Sequence, residues 1–440
     1  MKQPQRFDRQ KPEPRREPAK LVRIEKPVYG GEFLARVEGK ALFVPLVLPG
    51  EEVRVRTVTE RSGFAKAEAD EIVAASPKRI APGCRHFGAC GGCDYQHTDY
   101  AAQLQFKQEI LRETMQRGGV QAPDEIAVLA GEPWGYRNRI RVALDAAGNV
   151  GYRGRRSHGI VPVSECPIAA PLLLRAAMAA GEFFRAMSSA RRPAEIALFC
   201  DATESALLAT VFVDRPAKAG AEDFARALKE RIPQLAGVEF VSEGLAGRQP
   251  HTVASWGASS IPYRAAGFDY RVDQGAFFQV NRWLVDALAN GVTADQRGKL
   301  ASDLFAGVGL FARKLTASFE RVIAVESAPA AIAALRHNLE GTSGEAVHMD
   351  TLAFLRGNGK KDKPDLIIVD PPRTGLGKET AALLAGVAAA TLVYVSCDPA
   401  TLARDLRALI EAGYGIDSMT LADLFPQTFH LEAVVRLSRA

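Results

Sequence analysis

From Gln274 to its end, the chain alternates short β-branched runs with helix-like stretches, the pattern a doubly wound parallel sheet requires. Four runs lead to residues that can do chemistry. Ala301-Ser302-Asp303-Leu304-Phe305 precedes a glycine turn, Val322-Ile323-Ala324-Val325 precedes Glu326, Asp365-Leu366-Ile367-Ile368-Val369 precedes Asp370, and Thr391-Leu392-Val393-Tyr394-Val395 precedes Ser396-Cys397. Ligands of open α/β sheets bind at the carboxyl ends of the strands, so this spacing predicts one edge lined by carboxylates and a thiol. The uncharged run from Thr380 to Cys397 is nearly long enough to span a bilayer. Gly386 and Thr391 split it into an Ala/Leu-rich helix and a β-branched strand, so it reads as core and the chain as cytoplasmic, with no membrane partner.

The first turn at that edge has the chemistry of a cofactor site. Ala306-Gly307-Val308-Gly309 opens a helix through Thr316, and glycines there let the backbone approach a ligand closely. Glu326 follows at about the distance where an acid holds a ribose diol. Asp350, after His348-Met349, suits an adenine amino group. No third glycine completes the diphosphate fingerprint, because position 312 is Ala. A nucleoside without a diphosphate fits better, and S-adenosylmethionine is the expected ligand.

Asp398 suits an N-cap and Pro399 a first helical position, so a helix is expected through about Ala412. Cys397 then sits at a helix N-terminus, whose partial positive charge should favour the nucleophilic thiolate. In Asp370-Pro371-Pro372-Arg373 two prolines make a stiff turn that holds Asp370 at the same edge. Methylation of an amide nitrogen would need no nucleophile, and Cys397 points away from it.

The cysteines divide unequally. Cys84, Cys90 and Cys93 form a C-x5-C-x2-C group rich in glycine, Cys166 follows in Ser-Glu-Cys-Pro, and Cys200 reads as core. Such a cluster in a cytosolic chain reads as metal-binding rather than disulfide-forming. Four thiolates can hold zinc or a 4Fe-4S cluster, and proline after a distant fourth cysteine leans toward iron–sulfur.

Formal charge is +5, and residues 1–30 alone carry nine Lys/Arg against four Asp/Glu, so the remainder balances. Prolines within this tail predict disorder over 1–20. A second basic stretch runs from Arg137, Arg139 and Arg141 to Arg153, Arg155 and Arg156. Clustered cations of this kind suit a polyanion such as RNA. Short alternating segments over 21–76 predict a small β-barrel, residues 77–273 a mixed central region, and 274–440 the doubly wound domain.

Taken together, these motifs resemble the RNA uracil-5 methyltransferase family, in particular its iron–sulfur branch acting on 23S ribosomal RNA. The resemblance rests on the four cysteines, Phe277-Phe278-Gln279-Val280-Asn281, Asp303 through Gly309, Asp370-Pro371-Pro372-Arg373, Ser396-Cys397-Asp398-Pro399 and the closing Phe425-Pro426-Gln427-Thr428-Phe429-His430-Leu431-Glu432. It implies an α/β fold with a C-terminal Rossmann-like class I methyltransferase domain, an N-terminal OB-like TRAM barrel and a central iron–sulfur domain. It implies Cys397 as nucleophile, Glu432 as general base, and Gln279, Phe305, Gly307, Gly309, Glu326, Asp350 and Asp370 around S-adenosylmethionine. It also implies a 4Fe-4S cluster on Cys84, Cys90, Cys93 and Cys166, an RNA partner and a monomer. Leu310 stands where some members carry a polar cofactor contact, so that contact is not carried over. Other readings remain at this point: a catalytically silent RNA-binding or ribosome-assembly factor, the same chemistry on tRNA, and a redox enzyme with a metal centre and NAD, which the missing third glycine disfavours.

The role expected of the barrel can be measured directly. Deleting residues 1–76 should weaken RNA affinity and flatten its salt dependence, by about one unit of slope for each phosphate no longer neutralised, while S-adenosylmethionine affinity stays unchanged. Filter binding across a salt titration, with calorimetry for the cofactor, measures both.

Overall fold

The computed structural model describes residues 19–186, 193–213, 220–242, 251–358 and 363–439. The expected basic tail therefore lies, up to residue 18, outside the described residues. The chain forms two compact units, Met1–Arg79 and Ile80–Ala440.

In the first unit five strands close a barrel in the order Lys20–Val28, Glu32–Val37, Lys40–Pro45, Phe64–Ala74 and Glu52–Glu60. Alternation along the strands sends Val22, Ile24, Phe33, Val44, Val53 and Val55 inward. Closure leaves no unpaired edge for another chain to extend. Glu51 is fully buried and accepts hydrogen bonds from the Leu48 amide at 2.8 Å and Arg79 Nη2 at 2.7 Å. Burial alone would raise its carboxyl, but Arg79 and the backbone donors of Ser76 and Leu48 hold it below the ordinary value.

The second unit carries two large sheets. One has seven strands, in the order His251–Gly257, Leu235–Ser242, Leu207–Val213, Glu195–Cys200, Arg139–Leu144, Val150–Arg153 and Ile160–Pro162. Helices Pro171–Arg185 and Ala221–Arg231 pack their apolar stripes onto one of its faces, where Ile140, Val142, Ile196 and Leu198 are buried. The other has eight strands, in the order Gly344–His348, Phe319–Glu326, Gly298–Leu304, Leu366–Val369, Thr391–Ser396, Glu432–Arg439, Tyr414–Ala422 and Ala127–Leu129. The first five are parallel, as the alternating sequence predicts. Glu432–Arg439 enters antiparallel between Thr391–Ser396 and Tyr414–Ala422. Leu366, Ile368, Val393 and Val395 are buried in the core, which is why these strands read as continuous apolar runs. The Thr380–Cys397 run resolves into helix Gly377–Val387 and strand Thr391–Ser396. Among the described residues no helix is long and apolar enough to cross a membrane.

A helix from the middle of the sequence braces the end of the chain. Tyr100–Arg117 starts at Asp99, whose carboxylate accepts the Ala102 amide at 2.7 Å. On its inner face Lys107 donates to Asp423 at 2.5 Å and to the Phe425 carbonyl at 2.9 Å, with both charged side chains fully buried. Burial pulls the Lys107 amine below its ordinary value, and Asp423 opposes that shift.

Removing one member of such a pair strands a buried charge, which costs about 3–5 kcal/mol. Lys107→Met should lose stability of that order, and Asp423→Asn in the same chain should recover most of it. Urea unfolding of the two single variants and the double variant measures the coupling.

Candidate active site

Cys397 lies between strand Thr391–Ser396 and helix Pro399–Glu411. Asp398 caps the helix by accepting the Ala400 and Thr401 amides at 3.0 and 2.9 Å. Ser396 pairs with Ala433 across the antiparallel ladder, so the next residues, Cys397 and Glu432, come together at the carboxyl edge. Their charges feel each other there. The Cys397 thiol is pushed up to about 11 by burial, then by the carboxylates of Glu432 and Asp370, with Arg373 pulling it down. This corrects the expectation that the helix N-terminus would favour the thiolate. That partial charge is outweighed by desolvation and two carboxylates.

The carboxyl groups beside the thiol are displaced upward. Burial raises Glu432 well above the ordinary range, Asp370 raises it further, and Arg373 opposes them. Asp370 is likewise raised by burial. Asp303, fully buried at the end of its strand, is pushed up to about 8, first by burial. One of its oxygens accepts the Ala312 amide at 2.9 Å, and the other has no hydrogen-bond partner. Three carboxyls that resist ionisation thus lie close enough to act on one another, Asp370 on both Asp303 and Glu432.

The expected cofactor residues gather beside them. Phe305 sits at φ +72°, a conformation side chains rarely adopt, followed by Gly307 at +57° and Gly309 at +90°. A Cβ on Gly309 would meet Leu335 Cδ1 at 2.6 Å, so the turn needs glycine for space as well as for φ. Glu326 accepts the amides of Gly307, Ser327 and Ala328 at 2.8, 2.7 and 2.6 Å, which fixes the carboxylate under the turn. Asp350 accepts the Leu352 amide at 2.9 Å at the start of helix Thr351–Asn358. Gln279 Nε2 donates to Asp370 at 3.4 Å. Two neighbours received no role from sequence. Arg373 faces both Cys397 and Glu432, and its Nη2 lies 3.2 Å from His430 Nδ1. Burial, then Arg373, pushes His430 down to about 3, so it stays neutral. Both residues stand in motifs quoted above, but only the folded arrangement shows which groups they face.

Cys84, Cys90, Cys93 and Cys166 line one cavity of about 260 Å³. None of the six cysteines is disulfide-bonded. Burial raises the Cys84, Cys90 and Cys93 thiols, Cys93 to about 12. Among the described residues no three His, Cys, Asp or Glu side chains are grouped closely enough to hold a metal ion. A single zinc needs all its sulfur ligands about 2.3 Å from one point, whereas a cubane takes each thiolate on a separate iron. The four cysteines share a cavity, but the described side chains are not arranged as a metal site. Cys200 is buried in the core, as its sequence context predicts.

Residues 358–440 match the tRNA (Uracil-5-)-methyltransferase family and residues 20–69 the TRAM domain. An RNA methyltransferase of Streptomyces avermitilis is 34% identical, covering 95% of this chain and 98% of its own. The 23S rRNA (uracil(1939)-C(5))-methyltransferase RlmD of Halomonas elongata is 32% identical over 96% of this chain and 92% of its own. The chain belongs to the RNA uracil-5 methyltransferase family. Among solved structures, the Pyrococcus abyssi tRNA (uracil-54, C5)-methyltransferase, in complex with S-adenosyl-L-homocysteine, superposes with a TM-score of 0.75 at 24% identity. It covers 94% of this chain and 99% of its own, and shares the fold. The class I methyltransferase fold and the N-terminal barrel expected from sequence are both present.

Stability should depend on pH through Asp303. Its folded-state value lies above that of the unfolded chain, so the native state keeps the proton longer and its contribution to stability falls as pH rises from about 4 to about 8. Asp303→Asn removes that dependence. Urea unfolding at pH 5 and pH 8 should show the variant losing less stability than wild type between them, by an amount on the order of a few kcal/mol.

Proposed function

We propose that the protein methylates carbon 5 of a uridine in RNA, most consistently 23S ribosomal RNA, acting as a cytoplasmic monomer. The observation that carries this reading is the meeting of Cys397 with Glu432, Asp370 and Arg373 at one sheet edge. Ribosomal rather than transfer RNA is favoured because several relatives at 32–34% identity are named for 23S rRNA and match nearly the full chain.

S-adenosylmethionine, when bound, supplies an electrophilic methyl group on a sulfonium. The chain's own residues supply the rest. Glu326 and Asp350 would hold the ribose and adenine, with Phe305, Gly307 and Gly309 forming the turn beside them and Gln279 donating to Asp370. A sulfonium bound beside the buried acids would favour their ionised form. Carbon 5 of uracil is too weak a nucleophile alone. Cys397 loses its proton to the Asp370 carboxylate, which leaves Glu432 free for the later step, and its sulfur bonds carbon 6, turning the ring into an enolate with electron density on carbon 5. Arg373 offsets negative charge as the thiolate forms. Carbon 5 then takes the methyl group as the sulfur–methyl bond breaks and the neutral thioether is released. Glu432 removes the proton from carbon 5, the carbon–sulfur bond breaks, the ring double bond returns, and the thiolate leaves. A carboxyl held well above its ordinary value is a stronger base than a solvated one, which suits this step.

The four-cysteine cavity is proposed to hold a 4Fe-4S cluster. Thiols that resist ionisation when buried are drawn off their protons only by a strong cation, and the cluster supplies one for each sulfur. With every iron bound to cysteine, its role is structural. Protein purified anaerobically should be brown, with about four iron and four sulfide per chain. A colourless preparation with one zinc overturns this assignment and leaves the transferase reading in place.

Glu432→Gln should allow attack and methyl transfer but stall proton removal, so a methylated RNA–protein adduct accumulates. Cys397→Ala should abolish both adduct and turnover. The readout is a shifted band on denaturing gels that requires S-adenosylmethionine and Cys397. Uracil methylation by Cys397→Ala refutes the nucleophile, and normal turnover by Glu432→Gln without trapping refutes the base.

A further inference from the structure

Helices Pro171–Arg185 and Ala221–Arg231 cover one face of the seven-stranded sheet, and on the other face Tyr263 and Phe278 pack against Phe199 and leave the rest open. On strand Arg139–Leu144 alternate side chains point away from those helices, so Arg139 and Arg141 share the other face. Arg139 pairs in register with Phe199 and Arg141 with Ala197, and Phe212 lies one strand further on. The two guanidiniums stack on aromatic rings, Arg139 over Phe199 at 4.6 Å and Arg141 over Phe212 at 4.0 Å. Together with residues 273–275 and Val280 they line a cavity of about 560 Å³, within the size range of roughly 300–1,000 Å³ that small ligands occupy.

Charge in this cavity is not balanced from within. Among the described residues Arg139 makes no hydrogen bond or ion pair, and its buried Nε has no partner, nor does that of Arg137. Burial alone pushes the Arg139 guanidinium down, to about 10, because no carboxylate offsets it. The acids nearby are engaged elsewhere: Arg141 is paired with Glu195, Asp273 with Arg271 at 2.5 Å, and Glu239 accepts the Thr252 hydroxyl. A half-buried cation with stacked aromatics and no acceptor is built for an anion carrying a planar group. The cavity wall is the segment whose Gln279 donates to Asp370, so one loop separates it from the reacting centre.

We propose that this cavity on the far sheet face is a second RNA site, taking an unpaired nucleotide of the same strand that presents the target uridine, with its phosphate on Arg139 and its base against the stacked Arg141–Phe212 surface. Sheet faces with aromatic and arginine platforms bind single-stranded RNA by stacking, without groove readout. The site deepens the uridine reading and rests on it for the identity of the strand. It would anchor the RNA while the uridine is extruded, so it governs affinity for long RNA rather than the chemical step.

The test uses full-length protein and 23S ribosomal RNA transcribed in vitro without modification. Arg139→Gln should weaken binding about tenfold and lower the salt slope by about one, with kcat at saturating RNA and S-adenosylmethionine affinity unchanged. Arg139→Lys should restore the salt slope, since it keeps the charge. On a uridine trinucleotide, too short to reach both sites, Arg139→Gln and wild type should transfer methyl equally. Val241→Trp, which fills the cavity from its rim, should reproduce the loss on the long RNA and serves if Arg139→Gln fails to fold. Unchanged affinity and slope in both variants overturn the site. An equal loss on the trinucleotide also overturns it, because Arg139 would then act on the reacting centre. Wild type that binds the transcript through Arg139 but transfers no methyl refutes the uridine reading alone.

Discussion

The active edge depends on a single backbone arrangement: strand Glu432–Arg439 inserted antiparallel beside Thr391–Ser396. In a purely parallel sheet every strand brings its carboxyl end to the edge. An antiparallel strand brings its beginning instead, and here that beginning is Glu432. The same register places the acid opposite the turn that carries Cys397. A one-residue slip would send each side chain to the other face. The ladder is pinned on both sides, by Ser396 with Ala433 and by Ala422 with Glu432.

The segment leading into that strand is held by residues 290 or more positions earlier in the sequence. Gln103 exchanges hydrogen bonds with Gln427 at 2.9 Å in each direction, Tyr136 donates to the Pro426 carbonyl at 3.0 Å, and Asp94 accepts the Phe429 amide at 3.2 Å. Asp94 directly follows Cys93. The cysteine-bearing segment thus contacts, through its own neighbours, the loop that delivers Glu432. If the proposed cluster forms, ordering Cys93 would order the residues that fix Glu432, a role in the chemistry without any redox step.

Electrostatically the edge is arranged for a cationic donor and an anionic intermediate in turn. Asp303, Asp370 and Glu432 are raised because they are dry, and Arg373 answers Glu432 directly. A thiol at about 11 is a poor nucleophile at rest. On the proposed mechanism its activation would require the charge of the bound partners, which would tie transfer to occupancy of the site.

The parallel sheet was legible in the amino-acid order because β-branched runs and glycine turns act locally. The positive φ at Gly307 and Gly309, the Asp398 cap and the apolar strands all follow from residues within a few positions of one another. The side chains that carry chemistry were legible too, since Cys397, Asp370 and Glu326 stand directly after strands. How those groups act on each other is a property of the fold alone. Glu432 reads as an edge-strand acid until the antiparallel ladder sets it against Cys397, a distant residue in the chain. The thiol rises rather than falls because burial and two carboxylates outweigh a helix terminus, and burial has no signature in a local motif. Arg373, His430 and the Arg139 cavity became visible for the same reason: the partners that give a charge its meaning are distant in the chain and adjacent only in the fold.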